Sequence, residues 1–221
     1  NISSDMIRKQ IDAVFEDIGT DAVKIGMLSG EESMRAVAEK LSEYKPQNVV
    51  ADPVMYAKNG CPLMDPDSVG ALIDIIIPAA DLPTPNIPEA ERIAGITIEN
   101  TEDMKKAAAK IHKMGSRNVL VKGGHLEKEA LDILYDGKNY YYFNSERINT
   151  KNTHGTGCTF SSAIASNLAL GMGLESAVRK AKIYVTTAIR HSLNIGKGHG
   201  PTNHFYSLYK NGLENGGGNH D

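Results

Sequence analysis

Residues 152–158 read Asn-Thr-His-Gly-Thr-Gly-Cys, and an apolar helical run follows from Thr159. Small residues and bare backbone N–H groups at a helix start attract anions, because the first amides are unpaired and the dipole end is positive. The thiol of Cys158 sits at that start, where the same field is expected to lower its pKa. A phosphate-sized oxyanion site beside a candidate base suggests phosphoryl transfer. Taken alone, the heptapeptide is equally consistent with a tight turn and a buried small thiol.

Other residues share this ambiguity. Asp52 follows the apolar run Val49-Val50-Ala51 and precedes Pro53. A carboxylate there can hold Mg²⁺, usually through water, beside a substrate phosphate, or it can simply form a turn. Asn86 and Glu89 are three apart at a helix start, so they share a face. They can serve a ligand, or act as an N-cap and its capping box. Lys122 follows Val119-Leu120-Val121 and precedes Gly123-Gly124. It can neutralise phosphate oxygens, with the glycines letting backbone approach a ligand, or it can be a solvated turn lysine. His154 can bind phosphate, orient Cys158, cap or pack. His125 is read as structural or solvent-facing. The seven histidines show no metal-ligand spacing, so a structural zinc is not expected. No P-loop, dinucleotide-binding or serine-hydrolase motif is present.

The elements that must position these residues alternate. The apolar spacing predicts helices over 3–18, 31–44, 67–76, 88–94, 100–114, 159–169 and 174–192. Pro78 is expected to stop the third, and Gly115 the fifth. Short strands are expected at 22–25, 48–51, 81–84 and 119–121. A hairpin over 131–135 and 140–143 turns at Asp136-Gly137. Strands alternating with helices imply a mostly parallel sheet covered on both faces. Functional residues in such sheets gather at the carboxyl ends of strands. Gly26-Met27, Asp52-Pro53, Thr84-Pro85-Asn86 and Lys122-Gly123-Gly124 all fall there.

The bulk composition fits one domain over 1–211 with a flexible tail over 212–221. The chain has 221 residues, of which 41% are hydrophobic and 23% charged, with a formal charge of -3. That balance offers no general attraction to nucleic acid or an anionic membrane. Its two cysteines make no disulfide framework, so a reducing cytoplasm is expected.

The ordered set of motifs resembles a known family. The motifs are Asp52-Pro53-Val54-Met55, then Thr84-Pro85-Asn86-Ile87-Pro88-Glu89-Ala90, then Val121-Lys122-Gly123-Gly124-His125. Asn152-Thr153-His154-Gly155-Thr156-Gly157-Cys158 and Gly198-His199-Gly200-Pro201 complete it. Together they resemble the hydroxymethylpyrimidine and phosphomethylpyrimidine kinases of thiamin synthesis, within the ribokinase-like superfamily. The resemblance covers Ser3 to about Tyr209. It implies a three-layer α/β/α fold and ATP-dependent phosphorylation of the pyrimidine's hydroxymethyl group, then of the monophosphate.

The resemblance also implies roles. Cys158 holds the position where most ribokinase-like enzymes carry an aspartate base. Gly155, Thr156, Gly157 and Cys158 would form the anion hole. Asn86, Lys122, Thr153, Thr156 and Gly157 would line ATP. Asp52 and Glu89 would organise Mg²⁺. Met27 and Val54, with Cys158, would line the pyrimidine pocket. A homodimer is implied as well. Family members open with a strand, a Gly/Ser-rich turn and a second strand leading to a flap. None of these precedes Asn1, so N-terminal strands and the lid are expected to be missing from this chain. Two alternatives stand beside the leading one: a pyridoxine or pyridoxal kinase on the same scaffold, and a non-catalytic ligand-binding homologue.

Overall fold

The computed structural model describes residues 2–56, 61–124 and 130–212. Asn59-Gly60, His125 and residues 213–221 of the expected tail lie outside the described residues.

Three parallel strands begin the sheet: β1 (Val23–Ile25), β2 (Val49–Ala51) and β3 (Leu82–Pro83), in that order. β4 (Val119–Gly123) continues the order beyond β3. The Asn118 N–H donates to the Asp81 carbonyl at 3.0 Å, and the Lys122 N–H donates to the Pro85 carbonyl at 2.8 Å. β5 (Leu131–Tyr135) and β6 (Tyr140–Phe143) add an antiparallel hairpin to β4.

Side chains alternate across the strands and divide the core in two. Val49, Ala51, Val119, Val121 and Ile133 face one cluster with Met34, Ile77, Ile93 and Ile111. Val50, Leu82, Leu120 and Leu134 face the other, with Phe160, Ile164 and Val178. Each fully buried aliphatic side chain of this kind contributes about 1.5–3 kcal/mol. The first face is covered by α2 (Glu31–Tyr44), α4 (Ile77–Ala79), α5 (Ile87–Ala94) and α6 (Thr101–His112), with α3 (Val69–Ala71) leading into α4. The second is covered by α7 (Thr156–Ala169) and α8 (Leu174–Arg190). The result is a three-layer α/β/α domain. α1 (Ser4–Asp17) lies outside these layers and docks on α2, with Phe15 stacked on Tyr44 at 4.7 Å. Among the described residues, no helix is long and apolar enough to cross a membrane.

Four expectations need correction. α7 begins at Thr156, three residues earlier than its apolar pattern suggests, because Gly155 takes φ 77° and turns the chain into the helix. The helix expected to stop before Pro78 continues to Ala79, with a wide π-type stretch over Leu72–Ile76. A proline ring clashes with the carbonyl four residues back, and the wider turn relieves this. β4 extends through Gly123, which places Lys122 inside the strand rather than in a turn. A final helix, α9 (Tyr206–Asn211), was not expected from the sequence.

Candidate active site

The ends of β2, β3 and β4 bring three charges together. Asp52 leaves β2 with its N–H donating to the Ile25 carbonyl at 2.9 Å, and its side chain is buried. The Lys122 ammonium donates to Asp52 Oδ1 at 2.6 Å, across 70 residues of sequence. The Thr84 hydroxyl lies 3.4 Å from the same oxygen. α5 delivers Glu89 to this place through its own cap. Asn86 Oδ1 accepts the Glu89 N–H at 3.0 Å, and Glu89 Oε2 accepts the Asn86 N–H at 2.8 Å. The capping box is therefore formed, and the same geometry fixes the carboxylate beside Lys122.

Two buried carboxylates share one ammonium here. Glu89 is only 5% exposed, and burial pushes its carboxyl up to about 7, against the pull of Lys122. For Lys122, burial works against the charge. Asp52 and then Glu89 outweigh it, and the ammonium is held above its ordinary range. A second buried ion pair braces the same strand. Lys182 donates to Asp132 Oδ2 at 2.6 Å, and Asp132 Oδ1 accepts the Gly123 N–H at 3.0 Å.

The N-terminus of α7 faces these charges. No side chain caps it, and although the Thr156 N–H donates to the Thr153 carbonyl at 3.4 Å, the Gly157 and Cys158 amides stay open to an anion. Gly157 lies against the charged pair, since a Cβ there would stand 3.4 Å from Lys122 Nζ and 3.6 Å from Asp52 Oδ2. The Thr156 hydroxyl donates to the Thr153 carbonyl at 2.8 Å and ties the helix start to its loop. A second loop clamps the first. Asn152 Oδ1 accepts the Gly200 N–H at 3.0 Å, the His154 N–H donates to the Gly200 carbonyl at 3.2 Å, and His199 Nδ1 lies 3.0 Å from the Lys151 carbonyl. A Cβ on residue 200 would stand 2.5 Å from Asn152 Oδ1, so glycine is needed for this approach.

Cys158 departs from expectation. Its thiol is pushed above its ordinary value rather than below it. The packed crevice wall desolvates it, although its other side is open to solvent. Lys24 pulls the other way, but the Asp52 carboxylate adds both repulsion and a hydrogen bond that the thiol donates. The helix field alone points downward; desolvation first, and then the neighbouring anion, outweigh it.

The structure thus gathers Asp52, Asn86, Glu89, Lys122 and residues 155–158 around one crevice. Thr153 sits in the clamped loop behind the helix start. Met27 follows β1 at the crevice rim and is 52% exposed. Val54 is half-buried in a turn whose N–H donates to the Asp52 carbonyl at 2.8 Å. A groove of about 540 Å³ runs from Cys158 along the outer side of α7, past Ser162 and Ser166 to Tyr184 and His204. It meets the crevice at the thiol. The motifs contain Thr84 and Met55 without giving either a role, although the Thr84 hydroxyl and the Met55 N–H reach Asp52 and Glu89, and Lys24 lies in none of them. The signal for Lys24 is a lysine in the middle of the otherwise apolar run Ala22-Val23-Lys24-Ile25.

The donor set fits Mg²⁺. This ion keeps several waters and takes one or two carboxylates together with substrate phosphates. Asp52 and Glu89 supply that number, and the raised Glu89 marks a carboxylate short of positive charge. Among the described residues, no group of three or more His, Cys, Asp or Glu side chains is arranged for a metal, as a structural all-protein cage would require.

A family model described as phosphomethylpyrimidine kinase matches residues 1–203. The chain belongs to the phosphomethylpyrimidine kinase family. Two curated relatives of this kinase family are similar over most of the chain. The thiamine biosynthesis bifunctional protein ThiED of Geobacter sulfurreducens is 52% identical over 199 residues, covering 90% of this chain and 41% of that protein. The hydroxymethylpyrimidine/phosphomethylpyrimidine kinase of Bacillus subtilis is 44% identical over 206 residues, covering 92% of this chain and 76% of that protein. The chain therefore spans less than half of ThiED and about three quarters of the second relative. Among solved structures, an ADP complex of Bacillus subtilis pyridoxal kinase aligns with a TM-score of 0.86 at 37% identity. It covers 94% of this chain and 78% of that one. The ribokinase-like architecture expected of the family is the one observed.

Proposed function

We propose that this chain phosphorylates the hydroxymethyl group of a hydroxymethylpyrimidine, and then the resulting monophosphate, with Mg-ATP as donor. The observation that carries the reading is the uncapped α7 N-terminus facing Lys122, Asp52 and Glu89 within a kinase family. Phosphoryl transfer needs alignment and charge neutralisation more than covalent chemistry.

In this reading, the amides of Gly155 to Cys158 receive the charge that develops on the transferring group. Lys122 neutralises phosphate oxygens, while Asn86, Thr153, Thr156 and Gly157 line the nucleotide. Asp52 and Glu89 hold Mg²⁺, which supplies further charge neutralisation when bound. Met27 and Val54 line the ring of the acceptor. The acceptor oxygen forms its bond to the γ-phosphorus as the bond to the bridging oxygen breaks, and ADP leaves with that electron pair. Cys158 takes the proton of the alcohol. In the ligand-free crevice its thiol keeps its own proton, so this service requires the charge of Asp52 to be compensated in the loaded site. A homodimer in the cytoplasm belongs to the same reading and rests on the family resemblance and the cysteine usage.

A second reading, a pyridoxal kinase, is favoured by the close alignment with that enzyme's structure. Gly155-Thr156-Gly157-Cys158 and Gly198-His199-Gly200-Pro201 support the pyrimidine instead. An assay coupling ADP release to NADH oxidation, with each acceptor in turn, separates them. Higher kcat/KM for hydroxymethylpyrimidine is expected. Clear preference for pyridoxal overturns the first reading, and binding of either compound without ADP release favours a non-catalytic binder.

A further inference from the structure

We propose that Lys24 is a specificity residue of this crevice, and that its ammonium meets the phosphate of an already phosphorylated acceptor beside Cys158. The inference rests on the function proposed above and assigns its second step to a named cation.

The placement begins in the sheet. Lys24 pairs with Val50 in the parallel register, so both side chains lie on the face covered by α7 and α8. The lysine stem runs along β1 toward its carboxyl end. Its ammonium reaches the point over Gly26 where a Cβ would stand only 2.8 Å away. A side chain at residue 26 would push the flexible lysine tip aside. Gly26 is the residue after Ile25, whose carbonyl accepts the Asp52 N–H, so the ammonium sits at the level of the site. Of the charges acting on the Cys158 thiol, that of Lys24 is the largest, ahead of Asp52 and Lys122.

Lys24 is also uncommitted. Lys122 is tied to Asp52, whereas Lys24 is half-buried and joins no ion pair among the described residues. Such an ammonium is available to an incoming anion. An alcohol acceptor brings no charge to this side, whereas a phosphate brings close to two negative charges. In that second transfer an oxygen of the acceptor phosphate forms the new bond to the γ-phosphorus. The bridging oxygen departs with ADP, and no proton has to move. What the step needs is a cation to let two anions approach, and Lys24 lies on the strand that leads through Gly26 into Met27, which the proposed reading sets against the acceptor.

The test compares two acceptors on Lys24→Met and Lys24→Arg. In Lys24→Met, KM for phosphomethylpyrimidine should rise about tenfold or more, while KM for hydroxymethylpyrimidine changes by less than about threefold; kcat on the alcohol falls as the thiol loses this positive neighbour and does not enter the comparison. Lys24→Arg should restore most of the loss. An equal rise in KM on both acceptors, or a rise on neither, overturns the proposal. A readout without turnover keeps it separate from the functional reading. Iodoacetamide labelling of Cys158, followed by peptide mass mapping, reports acceptor occupancy. Phosphomethylpyrimidine should protect the thiol in the wild type and lose that protection in Lys24→Met, while hydroxymethylpyrimidine protects both equally. Equal protection by the two compounds in the variant overturns the role of Lys24. Failure of the wild type to phosphorylate either compound overturns the functional reading instead.

Discussion

Glu89→Gln should make the metal-free protein more stable at pH 8 while weakening its Mg²⁺-dependent turnover. The carboxyl titrates near 7 in the folded chain against an ordinary 4.5, chiefly because it is buried. At about 1.4 kcal/mol per pH unit, that gap corresponds to about 3 kcal/mol. The sign follows from proton binding. Below 4.5 both states hold the proton and nothing is lost. Between 4.5 and 7 the unfolded chain releases it first, so stability falls as pH rises, and the full loss is reached above 7. The amide of glutamine carries no charge and escapes this loss. It keeps one acceptor oxygen for the N–H groups of Asn86 and Met55, which trims the gain by up to about 1 kcal/mol. A net gain of about 2 kcal/mol at pH 8, turning into a deficit of up to about 1 kcal/mol near pH 4, is expected. Urea unfolding of both proteins at pH 4, 6 and 8, in chelator, measures it. Every other side chain is common to both proteins, so the difference isolates Glu89. Added Mg²⁺ should stabilise the wild type at pH 8 and leave the variant unchanged. A variant that is less stable at pH 8, or a difference that does not vary with pH, refutes the argument from burial.

Cys158→Ala should lower turnover on hydroxymethylpyrimidine by about 10²–10⁴-fold while ATP still binds by calorimetry. Wild-type turnover in that variant would refute the assignment of the base. Gly200→Ala forces a Cβ against Asn152 Oδ1 and the Leu193 carbonyl, at 2.5 and 2.9 Å. It should cost about 1–3 kcal/mol in thermal unfolding and depress kcat by loosening the loop that carries residues 152–155. Unchanged stability would show that the two loops are not clamped as described.

Much of this architecture is legible in the residue pattern, because it rests on local signals. Unbroken apolar runs mark Val49 to Ala51 and Val119 to Val121 as strands covered on both sides. Asn100 and Gly115 bracket α6 by cap and stop. Legibility fails where a local preference meets a tertiary demand. Thr156, Gly157 and Cys158 are weak helix formers, so propensity starts the helix at Thr159, yet the left-handed Gly155 starts it three residues earlier. Pro78 reads as a terminator, yet the chain widens its turns and carries on. The site divides in the same way. Strand ends point to Asp52, Asn86 and Lys122, but no spacing pairs Lys122 with a carboxylate 70 positions away. The field of α7 on Cys158 can be anticipated from its place at a helix start. The nearness of Asp52 cannot, and Asp52 helps to reverse the sign.

The central claim is that this crevice transfers phosphoryl groups from ATP to a hydroxymethylpyrimidine and to its phosphate. Phosphorus NMR of a reaction containing protein, Mg-ATP and hydroxymethylpyrimidine tests it most directly. The account predicts a phosphomonoester signal that appears with ADP and then gives way to the coupled pair of a pyrimidine diphosphate. Persistence of ATP with no new ester signal, while pyridoxal under the same conditions yields one, would contradict it.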